Sequence, residues 1–297
     1  MTRWSLLACP LLLACKSDPP TPSPHPPIIS LRTTSSAVVS ATLGPTASAP
    51  AEPRPRVIPV EQVIAFSGAG GVTLAASWYQ ASSEAPVVVF LHRLGGQRSE
   101  WQPLIRKLLK EGPELSLLTL DLRGHGQSSA SEGRVGGSLQ KRDIEQIPED
   151  LKALVGEVDR RLGQKASSLI GVGADLGATV LVLAASQEPR WSTLGLLAPV
   201  AGLRGVDLYR PFAEVRRRPI WLAVAREDPV SLEPFKAMTS MVGATITSKQ
   251  YEGQDHNITR LAASTPVLWD DLAGWIVSST NSLSAQPASA QSAGGEK

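Results

Sequence analysis

Asp175 stands in the stretch LIGVGADLGA, residues 169–178, where an apolar run enters a glycine-rich turn and an alanine-rich helical pattern (TVLVLAA) follows. Two chemistries fit such a turn. Gly171, Gly173 and Gly177 read as a loose phosphate-binding loop. Gly173-Ala174-Asp175-Leu176-Gly177 reads instead as a nucleophile elbow, a sharp strand-to-helix turn with a reactive side chain at its apex. The phosphate reading fails on context. A dinucleotide loop opens the first strand-turn-helix of its domain and has an acidic residue about twenty positions later for the ribose. Here Leu176 holds the place of the third glycine, and the ribose position falls in Leu194-Gly195-Leu196-Leu197, which has no carboxylate. The elbow fits better. Its turn is strained and tightly packed, so it needs small residues two places before and two places after the apex. Gly173 and Gly177 supply them, and Ala174 and Ala178 add little bulk.

An elbow needs a strand before it, a helix after it and a sheet around both. VIPVEQVIAF and VTLAASWYQ suggest an opening antiparallel pair. PVVVFLH, LSLLTLD, SSLIGV, STLGLLAP, PIWLAVA and ATITSKQY read as further strands. Helical patterns fall near residues 100–111, 144–162, 179–185 and 232–241, with a last one through Trp269 and Trp275. Leu151, Leu154, Val155, Val158 and Leu162 recur at helical spacing. Continuous apolar strands alternating with helices mean an α/β fold: a mostly parallel sheet covered on both faces.

Other segments then become specific. LHRLGGQRSEW (91–101) follows one strand as an oxyanion loop should, and DLRGHGQSS (121–129) follows the next. The series LHRLGG…W, DLRGHGQS, GADLGA, AREDPVS and EGQDH resembles the α/β-hydrolase superfamily, nearest to compact bacterial esterase-like and dienelactone-hydrolase-like members. The resemblance implies a twisted sheet of about eight strands. It also implies the catalytic order nucleophile, acid, histidine. On that order Asp228, in ARED after PIWLAVA, is the acid, with Glu227 as fallback. Of the four histidines, His25 lies in a proline-rich segment, His92 in the oxyanion loop and His125 in the DLRGHG turn, which leaves His256. Backbone N–H groups for an oxyanion hole are expected from Leu176 and, by resemblance, from Leu94. Family loops usually read His-Gly, whereas this one has Arg93, placed to fill part of the pocket or to bind an anionic substrate group.

The usual apex residue is serine. Aspartate is also a nucleophile: its carboxylate attacks an alkyl carbon, and a histidine-activated water hydrolyses the ester formed. Haloalkane dehalogenases and epoxide hydrolases of this fold work in that way. The helix N-terminus should keep the Asp175 carboxylate ionised, as attack requires. Two of their features are missing. Leu176 stands where dehalogenases carry a halide-holding tryptophan, and residues 200–218, Tyr209 among them, are too few for a large cap. Ser99 and Ser128 sit at no elbow and do not replace the serine. The sequence therefore predicts a hydrolase of small ester-like or alkyl substrates using Asp175, His256 and Asp228. The alternative is a binding or interaction protein on the same scaffold, in which Asp175 only caps a helix.

The ends of the chain read differently. Residues 1–14 carry Arg3 and the apolar run WSLLACPLLLA, too short to span a bilayer. The following Leu-Leu-Ala-Cys resembles a bacterial lipobox, which would make Cys15 the lipidated first residue of the mature protein. Residues 15–56 read as a Pro/Ser/Thr-rich disordered tether, 57–280 as one hydrolase domain and 281–297 as a disordered tail. A cell-envelope location with a lipid anchor in a membrane is expected. Both cysteines lie in the first fifteen residues, so the domain has no disulfide or cysteine metal site. A net charge of +2 argues against a nucleic-acid partner, Arg216-Arg217-Arg218 reading as a solvated face. No metal or organic cofactor is implied; the expected partner is a small-molecule substrate or ligand.

Overall fold

The computed structural model describes residues 58–242 and 246–284. The leader, Cys15 and the tether lie outside the described residues, as do positions 285–297 of the segment read as a tail.

Eight strands form one sheet in the order β1-β2-β4-β3-β5-β6-β7-β8. They are β1 (Glu61–Ser67), β2 (Thr73–Tyr79), β3 (Val87–Leu91), β4 (Ser116–Leu120), β5 (Leu169–Ala174), β6 (Trp191–Leu197), β7 (Ile220–Ala225) and β8 (Ile246–Tyr251). β2 pairs antiparallel with β1 and with β4, and all later pairings are parallel. β3, β4, β5 and β7 are buried along their whole length, as their unbroken apolar runs require of strands covered on both faces. The alternation within β3 shows the two layers. Val87, Val89 and Leu91 join the core under α2 (Lys141–Glu145), α3 (Ile147–Leu162), α4 (Leu176–Gln187), α5 (Tyr209–Val215) and α6 (Leu232–Ser240). Val88 and Phe90 join the opposite core under α1 (Gln102–Glu111), α7 (Ile258–Ser264) and α8 (Val267–Ser284).

Some boundaries moved for identifiable reasons. The helix expected over 144–162 is broken at Gln146, because Pro148 in the first turn of α3 has no N–H to extend an incoming helix. The elbow helix is longer than its periodic stretch, running from Leu176 to Gln187, and its residues through Ala185 are all buried. A helix apolar on every side lies inside the protein rather than on it. α8 runs to Ser284, beyond the expected domain end at 280. Between β6 and β7 there are one short turn, Leu203–Gly205, and α5, and no cap.

Gly177 sets the closeness of α4 to β3. An added Cβ there would fall on the Leu91 carbonyl, and one on Gly173 would fall on the Gly177 backbone. Gly177→Ala should therefore cost about 1–3 kcal/mol or more through overpacking. Chemical denaturation measures it, and unchanged stability would show that the turn relaxes freely.

Candidate active site

β5 delivers Asp175 in a conformation that L-residues avoid, φ 50°, ψ −111°. Such a backbone costs on the order of 1–3 kcal/mol and persists only where its surroundings over-determine it. The surroundings here do so. Asp175 N–H donates to Leu197 O at 2.9 Å, and its carbonyl accepts from Thr179 N–H at 3.0 Å. Gly177 N–H is spent on His92 O at 3.1 Å, locking the first turn of α4 to the loop after β3.

Asp175 occupies the N-cap position of α4, but its side chain does not cap the helix. A capping aspartate has an extended backbone and accepts from the second or third amide of its helix. The Asp175 side chain makes no such bond. Its Oδ2 instead accepts from Leu94 N–H at 3.0 Å, and its Oδ1 lies 3.5 Å from His256 Nε2. The carboxylate is pointed away from its own helix, across to two other loops.

His256 reaches it from the far edge of the sheet. Arg226 N–H donates to Tyr251 O at 2.7 Å and Glu227 N–H to Gly253 O at 2.9 Å, which binds the loop after β7 to the loop after β8. His256 Nδ1 then lies 2.9 Å from Asp228 Oδ2 and 3.0 Å from Ser231 Oγ. Asp228 is fully buried, and its Oδ1 accepts from Val230 N–H at 2.8 Å and Ser231 N–H at 3.1 Å. Burial pushes the Asp228 carboxyl up, but the His256 bond and the two amides outweigh it and hold it below the usual range. Burial pulls His256 down; the bonds to Asp175 and Asp228 more than offset this and raise it to about 9. Both carboxyl groups thus favour the imidazolium form of His256.

The loop carrying Leu94 is fixed by two buried imidazoles. His92 places Nδ1 2.7 Å from Arg93 O and accepts from Leu122 N–H through Nε2 at 3.0 Å. His125 places Nδ1 3.0 Å from Arg123 O and accepts from Gly95 N–H through Nε2 at 3.0 Å. Each ring thus ties its own loop to the other's, which requires both to be neutral. Desolvation lowers both, His92 to about 3.

An open groove of about 710 Å³ lies beside this loop, with Arg93, Gly95, Gln97, Glu100, Asn257 and Arg260 among its lining residues. Asp175 and His256 themselves do not line it; the groove adjoins the triad through Leu94's neighbours and through Asn257. Among the described residues no cluster of three or more His, Cys, Asp or Glu could hold a metal ion.

Asp175, His256, Asp228 and Leu94 are thus brought together. Leu176 opens α4, but its N–H does not bond the Asp175 carboxylate. Glu227, the fallback acid, is exposed. Sequence reasoning missed Ser231 and the His92–His125 exchange. A serine just before a helix reads as a cap, yet the Ser231 side chain caps nothing and faces His256.

Residues 82–218 match the family described as serine aminopeptidase, S33. A search among curated proteins finds no match. Solved structures similar to the chain include a carboxylesterase of the thaumarchaeon Nitrososphaera gargenis, 14% identical, covering 74% of this chain and 100% of that one, with a TM-score of 0.58. An esterase of Pyrococcus furiosus is 16% identical over 75% of this chain and 97% of its own, with a TM-score of 0.58. The enol-lactonase from Burkholderia xenovorans is 16% identical over 70% and 99%, with a TM-score of 0.55. Together with the strand order, these likenesses establish the α/β-hydrolase fold without a large cap.

The charge arrangement has a readable consequence. The His256 ring should titrate near pH 9 by NMR, and Asp175→Asn should move that midpoint down by removing one of its two anionic partners. The folded value lies above the unfolded one of about 6.5. The contribution to stability is therefore full below about pH 6.5 and is lost as the pH rises through about 9. Ring titration near 6.5 in both proteins would contradict the ion-paired site.

Proposed function

We propose that this α/β-hydrolase-fold chain is a hydrolase that attacks small alkyl substrates with the Asp175 carboxylate. The observation that carries the reading is the placement of that carboxylate: strained backbone, no capping bond, one oxygen on Leu94 N–H and the other facing His256. An acyl substrate would need its own carbonyl oxygen where Oδ2 already sits. An alkyl substrate would not, which favours it over the ester-like one.

The chemistry then runs as follows. Oδ1 attacks a saturated carbon, and the leaving group departs with the bonding electron pair. The ester on Asp175 is neutral, so His256 loses one of the anions that hold its proton and releases that proton to solvent. Neutral His256, oriented by Asp228 and Ser231, takes a proton from a water that adds to Asp175 Cγ. The negative charge gathers on Oδ2, where the Leu94 N–H bond waits. Collapse breaks the Cγ–Oδ1 bond, His256 protonates the departing alkoxide, and the proton left on the new carboxyl returns to His256. The product alcohol keeps Oδ1, and solvent oxygen stays in Asp175.

A second reading has its own support. The ion pair fills the oxyanion position with the protein's own carboxylate, and Leu176 offers nothing to a departing halide. On that reading the scaffold binds rather than reacts.

Turnover in heavy-oxygen water separates the two. The alkyl mechanism places unlabelled oxygen in the first product and label in Asp175 after repeated cycles, and Asp175→Asn should lower turnover by about 10⁴ or more. No turnover across alkyl halides, epoxides and esters, with esterase activity gained by Asp175→Ser, would sink the nucleophile reading in favour of the binding one.

We also propose that Cys15 carries a lipid anchoring the chain in a bacterial envelope membrane, a reading that rests on the Leu-Leu-Ala-Cys sequence after an apolar run. Cys15→Ala should move the protein from the membrane to the soluble fraction; retention on membranes would refute the anchor.

A further inference from the structure

Arg93 stands out among the charged groups near the site, because its donors are only partly spent. NH1 donates to Leu94 O at 3.0 Å, folding the guanidinium back over the loop that holds Asp175. Nε is sealed from solvent against Glu100, whose Oε1 lies 2.9 Å away in an ion pair. Burial raises the Glu100 carboxyl, against the pull of Arg93. NH2 bonds no acceptor among the described residues. The terminal donors of a guanidinium suit the oxygens of an anion.

The groove beside it gives that anion a place. Its volume of about 710 Å³ suits a small organic molecule, and its charged lining residues are Arg93, Arg260 and Glu100. Arg260 is mostly exposed and bonds Asp255 Oδ1 through NH2 at 2.7 Å, which leaves its other donors for a ligand. His125, also at the groove, is held neutral by its bonds, and Gln97 and Asn257 are uncharged. The lining includes Gly95 and Gly136, whose left-handed backbone, φ 71° and 49°, favours glycine and leaves the space beside them open.

We infer that this groove is an oxyanion-binding subsite, with Arg93 as its principal ligand and Arg260 as its second, and that the molecule entering the Asp175 centre carries a carboxylate, sulfate or phosphate group. The inference rests on the hydrolase reading for what happens next, but not for binding itself. The anion could arrive in two ways: as a tail that orients an otherwise neutral electrophile, or as the leaving group of an alkyl ester of a strong oxyacid. In the second case Asp175 Oδ1 forms the new bond to the alkyl carbon, the C–O bond breaks, and the oxyacid oxygen keeps the electron pair, its negative charge held by Arg93.

Binding is tested first, on the full chain and without turnover. Calorimetric titration should show butanoate and butyl phosphonate binding, with the isosteric neutral butanamide at least tenfold weaker. Arg93→Gln should abolish this preference, Arg93→Lys should retain part of it, and Arg260→Ala should weaken binding severalfold. Circular dichroism confirms that each variant is folded, and Arg93→Lys keeps the test usable if Arg93→Gln is not. Equal binding of butanoate and butanamide, or an anion preference unchanged in both Arg93 variants, overturns the subsite. Turnover then separates the readings. Preference for 4-bromobutanoate over 1-bromobutane shows the anion as a tail, and consumption of butyl sulfate shows it as a leaving group; either supports the subsite. Anion binding with no turnover of any substrate keeps the subsite and removes the hydrolase. Equal turnover of neutral and anionic bromides keeps the hydrolase and removes the subsite.

Discussion

The hydrogen bond from Leu94 N–H to Asp175 Oδ2 is the interaction on which the site depends. A carboxylate one residue before a helix would ordinarily turn toward the helix's own free amides. Here the backbone conformation at Asp175 forbids that turn, and the bond across to another loop replaces it. Everything that makes this possible is close packing: Gly177 under Leu91 and His92, Gly173 against Gly177, and Leu197 O holding Asp175 N–H. Strain at one residue is supported by a sheet, a fully buried helix and two loops. That much support for a strained residue argues that the orientation matters more than local stability there.

The partner loop is held with equal firmness and by unusual means. His92 and His125 act as neutral donor–acceptor bridges, crossing between the loops after β3 and β4. An amide in place of either imidazole would lack the ring that packs, tilted by 60°, against its neighbour at a centroid distance of 4.9 Å. Their neutrality contrasts with His256, whose ring is also largely enclosed yet sits between two carboxylates. The same side chain is thus pushed in opposite directions, chiefly by desolvation in one place and by paired carboxyl groups in the other. The two carboxylates make the difference: a hydroxyl at position 175 would leave His256 with one anionic partner, and Asp175 supplies a second.

Much of this was legible in the sequence because it depends on local rules. PVVVFLH and PIWLAVA are apolar on both faces, so their place inside a covered parallel sheet follows from composition alone. The elbow announces itself through Gly173 and Gly177, whose small size the turn demands, and strand order then leads to Asp228 and His256. What stayed hidden depends on partners distant in the chain. That Asp175 bonds Leu94 rather than capping α4 is decided by backbone angles that no side-chain pattern reports. Ser231 looks like a cap and is used otherwise. α7 escaped notice because ITRLAAS is short, although Asn257 caps it by accepting from Thr259 N–H at 2.9 Å. α5 escaped for the same reason, and the break before α3 was signalled by Pro148 but masked by apolar periodicity on both sides.

Arg93 adds bulk and charge beside the amide that holds the carboxylate. Its backbone N–H approaches Glu100 Oε2 at 3.4 Å, its carbonyl meets the His92 ring and Gly96 N–H, and its side chain returns to Leu94 O. The residue is therefore tied to the oxyanion loop at each of its polar ends while its guanidinium borders the groove. A ligand pulling on that guanidinium would pull on the Leu94 carbonyl, and through the next peptide on Gly95 and the His125 bond. The groove and the carboxylate adjoin through one loop, and two buried imidazoles limit how far that loop can give.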